Sequence, residues 1–440
     1  EIGSGLVGSE MCIRDRLLFG ALFLFILMGI PIAWSVALSS FTYILVNGLP
    51  LALVAQKMVT SLQGFVFVAL PLFLLTGDVM NTGGLTQKLV NISRACFGRF
   101  KGALAYINVF VSLLFGGVQG LATADTVAIG SMLIPAMEKE GYKKEFATAI
   151  TCASSPLGAI IPPSVIMIIY GSVCEVSIGN MFLGGIVPGI VLGGAQMLYV
   201  YYLAHSKKHA DYIPRGQIYS KKQRIQWLKE GLPTMVLPLL IVGGICGGVV
   251  TATESAVIAL LYAIFLTIAT HELRWKDIPK ILWNGTRTIG SVMIILATSS
   301  VFGYILTLEK IPQLVVHALL SISGNKYILL IIINVFLLLV GTFMDPTPAA
   351  IILGPIIMPV LTQFGMDPIQ IGVMMCMNLI MGQITPPVGS CLYLASGISN
   401  LSVARIGKAL LPFYAIAFAV ILLVSFVPAF VMTLPNLFGV

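Results

Sequence analysis

Two clusters of small polar and helix-breaking residues carry the chemistry open to this chain. Gly158-Ala-Ile-Ile-Pro162-Pro163-Ser164 interrupts one apolar stretch just after Ser154 and Ser155. Gly382-Gln383-Ile-Thr385-Pro386-Pro387-Val-Gly389 interrupts another 224 residues later, after Asn378. Proline has no backbone donor and clashes with the preceding turn, so each break frees carbonyls on one half-helix and amides on the next. The carbonyl end suits a cation and the amide end an anion. Each break has a polar group to face: Gln119, Thr123 and Asp125 for the first, Gly341, Thr342, Asp345 and Thr347 for the second. Hydroxyl, amide and backbone oxygens without a dense carboxylate cage favour an exchangeable monovalent cation, sodium, over Ca²⁺. The expected cation ligands are Thr123, Ser155 and Gly158 at the first break and Thr342, Gly382 and Thr385 at the second. Singly, such serines and threonines are ordinary helix-packing residues. Their grouping at two matched breaks carries the site reading, and matched broken segments mark the binding site of a secondary transporter.

The elements that must position these residues lie in a bilayer. The 440 residues are 58% hydrophobic and only 10% charged, with mean hydropathy +1.00, which excludes a soluble globular domain and implies an all-α polytopic membrane protein. Apolar segments run at about 17–30, 32–47, 64–82, 103–138, 146–175, 178–204, 232–248, 251–270, 285–306, 327–362, 367–398 and 408–434, set against the roughly 20 apolar residues a span needs. Segments 103–138 and 327–362 are long enough to enter and return, and each has a polar, Gly- or Pro-rich centre. Both read as re-entrant helical hairpins. A shift of 224 places Thr123 on Thr347, Pro135 on Pro359, Gly141 on Gly365, Gly158 on Gly382 and Pro162-Pro163 on Pro386-Pro387. Ile107-Asn-Val-Phe110 meets Ile333-Asn-Val-Phe336 at a shift of 226. The chain therefore reads as a duplicated unit.

Basic residues set the orientation. Loops 86–101, 139–144, 205–229, 271–287 and 405–408 hold 20 Lys and Arg, against Lys57, Lys310 and Lys326 on the opposite side. The basic loops are then cytoplasmic. Each half has five crossings and one hairpin, an odd number that inverts the second half and leaves both termini outside. The hairpins enter from opposite sides, so their tips can meet. The expected organisation is a non-native leader at 1–16, where 8–16 reads like a translated sequencing adapter, a first repeat at 17–204, a basic connector at 205–231 and a second repeat at 232–440. Segments 51–63 and 272–283 are expected as interfacial arms.

Other functions find little support. The net charge of +8 sits in short loops between apolar runs, which is a membrane pattern and not a nucleic-acid one. No GxxxxGK[ST] loop or HExxH is present, and four scattered histidines build neither a metal site nor a Ser-His pair, so an enzyme is not expected. Seven cysteines form no CxxC pair and read as small buried hydrophobes. Asp78, Asp125, Glu254, Arg287 and Asp345 fall near or within apolar segments, where a charge costs at least about 2.5–3.5 kcal/mol and needs a partner or a wet cavity. Asp125 and Asp345 are site candidates by their place at the tips. Asp78, Glu254 and Arg287 are equally compatible with interfacial or structural roles.

Several motifs in order, Gly29-Ile-Pro-Ile-Ala-Trp34, Leu70-Pro-Leu-Phe-Leu-Leu-Thr-Gly77, Met80-Asn-Thr-Gly-Gly84, Phe115-Gly-Gly117, Ala122-Thr-Ala-Asp125, Ile160-Ile-Pro-Pro-Ser164, Thr251-Ala-Thr-Glu254 and Thr385-Pro-Pro-Val-Gly389, resemble the large membrane subunit of tripartite ATP-independent periplasmic (TRAP) transporters. The resemblance covers residues 17–440. It implies a sodium-driven, elevator-like translocation subunit of the bacterial inner membrane. Its implied partners are a separate small four-helix membrane subunit and a periplasmic substrate-binding protein. The implied substrate is a small organic acid: a C4-dicarboxylate, a keto acid or a sialic acid. On this chain the two tips and the two Pro-Pro breaks would be the sodium and substrate sites. Where the family commonly has Ser-Gly-Ser-Ala at the first tip, this chain has Gln119-Gly120-Leu121-Ala122, leaving Gln119, Thr123 and backbone carbonyls as donors there. The alternatives are a stand-alone sodium/carboxylate symporter and an uncoupled membrane channel or scaffold.

Overall fold

The computed structural model describes residues 17–64, 68–206, 213–214, 216–217, 219–311 and 325–438. The expected leader at 1–16 lies outside the described residues. Among the described residues there is no strand. The first half supplies α1 (Leu17–Leu27), α2 (Ile32–Val46), α3 (Ala52–Leu62), α4 (Ala69–Thr82), α5 (Leu85–Phe97), α6 (Ala103–Gln119), α7 (Ala122–Lys139), α8 (Lys144–Ser154), α9 (Leu157–Ile160), α10 (Val165–Val173) and α11 (Ile178–His205). The second supplies α12 (Lys221–Cys246), α13 (Ala252–Ala269), α14 (Ile278–Leu308), α15 (Lys326–Phe343), α16 (Pro346–Gln363), α17 (Pro368–Gly382), α18 (Ser390–Ser399), α19 (Val403–Phe426) and α20 (Ala429–Phe438). Seven of these, α11 to α16 and α19, are long and apolar enough to cross a bilayer, and α8–α10 taken as one bent span makes eight.

Caps explain where the helices start and stop. Asp345 and Asp367 each precede a proline at the first helical position and accept from Thr347 N and Ile369 N. That arrangement satisfies an orphan amide while proline uses a site that needs no donor. Thr251 and Glu254 close a reciprocal capping box on α13, which gives Glu254 a structural place. Gly84, Gly102 and Gly120 take left-handed conformations at helix junctions.

Burial sorts the helices into an inner and an outer set. All of Ala147–Ser154, Leu157–Ile160 and Gln370–Gly382 is buried, so the interrupted segments run through the middle of the molecule. Around them pack α6 and α7, α11, α15, α16 and α19. A second, smaller core joins α1 and α2 to α14 through Leu18, Leu22, Tyr43, Ile44, Phe302 and Ile305, and reaches α16 at Ile352 and Ile356. The phenol of Tyr43 donates to Glu309 within it. Helix α14 thus links this outer set to α16.

Two arms were expected, and they differ. Helix α3 is separate and none of its side chains is buried. At 272–283 there is only a 3-10 turn, Trp275–Asp277, running directly into α14. No glycine or proline pair stands between Asp277 and Asn284 to stop the helix, and Pro279 sits in its first turn where proline is tolerated.

Candidate functional site

Both interruptions form where the prolines are. The first runs α8, α9, α10 with an overall bend of 42°, and the second separates α17 from α18. The Pro162-Pro163 and Pro386-Pro387 bonds are both cis. The first break also begins earlier than Gly158, at Ser155-Pro156, which divides α8 from α9.

The freed backbone groups find specific partners, as buried backbone must. Gln196 of α11 donates to Ala153 O at 2.6 Å, and Tyr414 of α19 donates to Ile384 O at 2.7 Å. The hairpin tips supply the rest. Val165 N, at the start of α10, donates to Gly120 O at 3.4 Å; Gly389 N, before α18, donates to Thr342 O at 3.0 Å. Each tip is therefore hydrogen-bonded to the break in its own half.

The same fit recurs in the glycines. A Cβ on Gly116 would lie 2.8 Å from Gly158 Cα, and one on Gly382 would lie 2.4 Å from Gly341 Cα. Two backbones touch in each half, at residues 225 and 224 apart in sequence. Gly120 has φ +65°, and its Cβ would meet Pro163 O at 2.3 Å, so only glycine fits that tip.

In the first half a buried polar chain threads between hairpin and break. Asn108 donates to Thr151 Oγ1 at 2.7 Å, Ser154 donates to Asn108 Oδ1 at 3.0 Å, and Ser112 donates to Asp125 Oδ2 at 2.8 Å. Asp125 is fully buried, its Oδ1 makes no hydrogen bond of ordinary geometry although the Ser155 hydroxyl lies near the carboxylate, and its side chain lies against Gly158, whose missing Cβ leaves the room. Ser155 turns its hydroxyl onto Thr151 O at 2.7 Å. Ser164 caps α10. In the second half Asn378 donates to Asn334 Oδ1 at 2.6 Å, and Asn334 donates to Ser425 Oγ at 2.9 Å; Asn378 Oδ1 is buried without a partner. Leaving such an oxygen unmatched costs on the order of 1–3 kcal/mol. Asn108, Ser112, Thr151, Asn334 and Ser425 went unassigned on sequence alone. The Ile-Asn-Val-Phe repeat held the two asparagines, but it marked duplication without indicating their bonding.

The remaining expected residues spread over several surfaces. Asp345, Thr347 and Gln383 line a narrow gap of about 30 Å³ with Gly120, Ala122 and Thr123, so the two tips do meet. Thr123 faces this gap, apart from Asp125. Gln119 points away from the break: it packs on Gly77 of α4 and accepts from Asn81 Nδ2 at 3.5 Å. Thr385 donates to Met381 O and borders an apolar cavity of about 310 Å³ beside Tyr414 and Phe418. Pro162 and Pro163 are buried, whereas Pro386 and Pro387 are exposed.

Two larger cavities flank the tips. One of about 800 Å³ is bordered by Asp78, Asn81, Gln119, Leu121, Thr123 and Thr288 among others. The other, about 780 Å³, lies between the tip residues Thr123, Asp345 and Thr347 and the wall formed by Trp34, Arg287 and Ser291. Leu121, Thr123 and Thr288 border both.

The family described as "Tripartite ATP-independent periplasmic transporter, DctM component" matches residues 19–430. The chain belongs to this family. It is similar to the isethionate TRAP transporter permease protein DctMQ of Oleidesulfovibrio alaskensis, 36% identical over 94% of this chain and 65% of that protein. It is similar also to the sialic acid TRAP transporter large permease protein SiaM of Vibrio cholerae, 34% identical over 93% of this chain and 96% of that one. Among solved structures, the Alcanivorax borkumensis YdaH transporter superposes with TM-score 0.66 at 14% identity, covering 86% of this chain and 88% of that one, a likeness of fold alone. As a TRAP transporter large subunit, the chain is a multi-pass membrane protein whose breaks and tips form one connected assembly.

Proposed function

We propose that this TRAP subunit imports an organic acid, driven by sodium, across the bacterial inner membrane with both termini periplasmic. Its partners are a small four-helix membrane subunit and a periplasmic binding protein that delivers the substrate. The observation that carries the cation reading is that two of the buried side-chain oxygens without a hydrogen-bond partner, Asp125 Oδ1 and Asn378 Oδ1, stand one beside each broken helix. Sodium is cargo here. Asp125, Ser155 and Gly158 supply the first cation site, with Thr123 left to the gap between the tips; Thr342, Gly382 and Thr385, with Asn378, supply the second. Alternation follows from an elevator-like shift of the hairpins and broken helices, two inverted repeats at 17–204 and 232–440, against an outer set that includes α2, α4 and α14. The two large cavities between tips and outer helices support that reading, because an interface that must slide cannot be packed solid. The named relatives support an organic acid as substrate.

The test is uptake into proteoliposomes holding the chain alone, or with both partners, under a sodium gradient. Uptake is expected only with all three components and is expected to collapse when sodium is replaced by choline. Uptake by the chain alone would instead indicate a stand-alone symporter, and undiminished uptake in choline would remove sodium from the mechanism.

A further inference from the structure

Helix α14 presents one face to the 780 Å³ cavity, with Asn284, Arg287, Thr288 and Ser291 following each other at helical spacing. Arg287 lies nine residues into α14, about 14 Å along its axis at 1.5 Å per residue. It stands two residues inside the apolar segment 285–306, where a guanidinium needs a partner or water. Arg287 is exposed to the cavity, and among the described residues it makes no ion pair: Lys88–Glu272 and Lys144–Glu138 are elsewhere. Asp345, on the opposite wall, does not reach it. Among the described residues bordering the two large cavities, Arg287 is the sole basic side chain, against Asp78 and Asp345. The other polar groups around it are neutral hydroxyls and amides.

Resting on the organic-acid reading above, we propose that Arg287 receives the substrate's acidic group while the tips face this cavity and releases it when they move, and that the substrate is a polar monoanion, a carboxylate or a sulfonate. Arginine's planar fork matches either group with two parallel hydrogen bonds and stays charged. A volume of about 780 Å³ is within the range of small-molecule sites, and Thr123, Thr347, Asn284 and Ser291 offer hydrogen bonds to hydroxyl or amide groups on the rest of the ligand. A second acidic group on the same ligand would find Asp345 in this cavity and no second cation, which selects against dicarboxylates.

The charge-ratio test needs neither partner nor sodium, and ligand protection is read with sodium present. In the full chain in vesicles, with Cys96→Ser, Ser291→Cys places a thiol one turn beyond Arg287. Its reaction with anionic sulfonatoethyl and cationic trimethylammonioethyl methanethiosulfonate is counted as excess over the same chain carrying Ser291. The anionic reagent is expected to react faster, and Arg287→Gln to lower the anionic-to-cationic ratio about tenfold, as loss of one nearby unit charge predicts; Arg287→Lys should keep most of it. An unchanged ratio in Arg287→Gln overturns the anchor. Isethionate and N-acetylneuraminate then distinguish sulfonate from carboxylate, since whichever fits should slow labelling with Arg287 present and not with Gln. Protection by succinate alone, or by none of the three, overturns the assignment. Partner-free or sodium-free uptake would sink the importer reading while leaving this ratio where it is.

Discussion

Gly382→Ala puts one methyl group where two backbones touch. Its Cβ would lie 2.3 Å from Gly341 C and 2.4 Å from Gly341 Cα, whereas carbon atoms prefer about 3.5–4.0 Å. Neither neighbour is a flexible side-chain end, so α15 and α17 must part by more than an ångström. Overpacking a close-fitted interior costs about 1–3 kcal/mol, while alanine returns at most about 1 kcal/mol in helix propensity. The net is a loss of up to about 3 kcal/mol, since Gly382 ends its helix and gains little propensity. The displacement also falls beside the Gly389 N to Thr342 O bond that ties tip to break. Gly303→Ala in α14 is the matched control, because a Cβ there meets nothing within 4 Å. Thermal unfolding in detergent should place Gly382→Ala below the parent by a few degrees, using at most about 2–4 °C per kcal/mol, with Gly303→Ala unchanged or higher. Sodium activation of uptake should weaken only in Gly382→Ala. Equal melting and equal sodium dependence in the two variants would refute the close-contact reasoning.

Asp125→Asn should raise the sodium concentration for half-maximal uptake at least about tenfold by removing a buried anion from a cation site, and retention of parental sodium dependence would exclude Asp125 from it. Ser155→Ala and Thr385→Ala should each lower apparent sodium affinity; no change in either would remove both hydroxyls from the ligand set. Tyr414→Phe and Gln196→Leu leave Ile384 O and Ala153 O without their donors, so each should lose about 1–3 kcal/mol of stability. Melting temperatures equal to the parent would show that those carbonyls find other partners.

The breaks and tips were legible because proline and glycine act locally. Pro162-Pro163 and Pro386-Pro387 end helices wherever they stand, and two copies at one shift identified the halves. Pro156 shows the same rule missed in plain sight: it follows the serines and opens the first break early. Side-chain direction was less legible. Thr123 and Asp125 are two residues apart on one helix, which puts them on different faces, and one borders the gap between tips while the other is sealed against Gly158. Gln119 turns outward because Gly77 on α4 leaves a hollow for it, a fact of tertiary packing that no local pattern encodes. Arg287 was visible as a costly charge, but its cavity exists only once α2, α14 and both tips are assembled.

The two halves also show how one motif acquires two environments. Around the first break, Cβ atoms on Gly185 and Gly189 of α11 would come within 3 Å of Ile160 O and the Ile161 side chain, so α11 lies directly over the break and Pro162 and Pro163 are buried. In the second half the glycine of α19 that lies at the break, Gly407, would place its Cβ at 3.3 Å from Pro386 Cγ, a looser approach, and Pro386, Pro387 and Val388 are exposed. Helix contact differs in the same sense: α6 and α7 pack against each other, whereas α15 lies chiefly on α17 and barely on α16. The first break is sealed where α11 presses onto it, and the second, without such a cover, is open. If Gly189→Leu forced α11 off Ile161, the first break should become the more open of the two. Cysteines placed at Ser164 and Val388 would read that reversal directly, and equal accessibility of Ser164→Cys with and without Gly189→Leu would show that α11 is not what seals it.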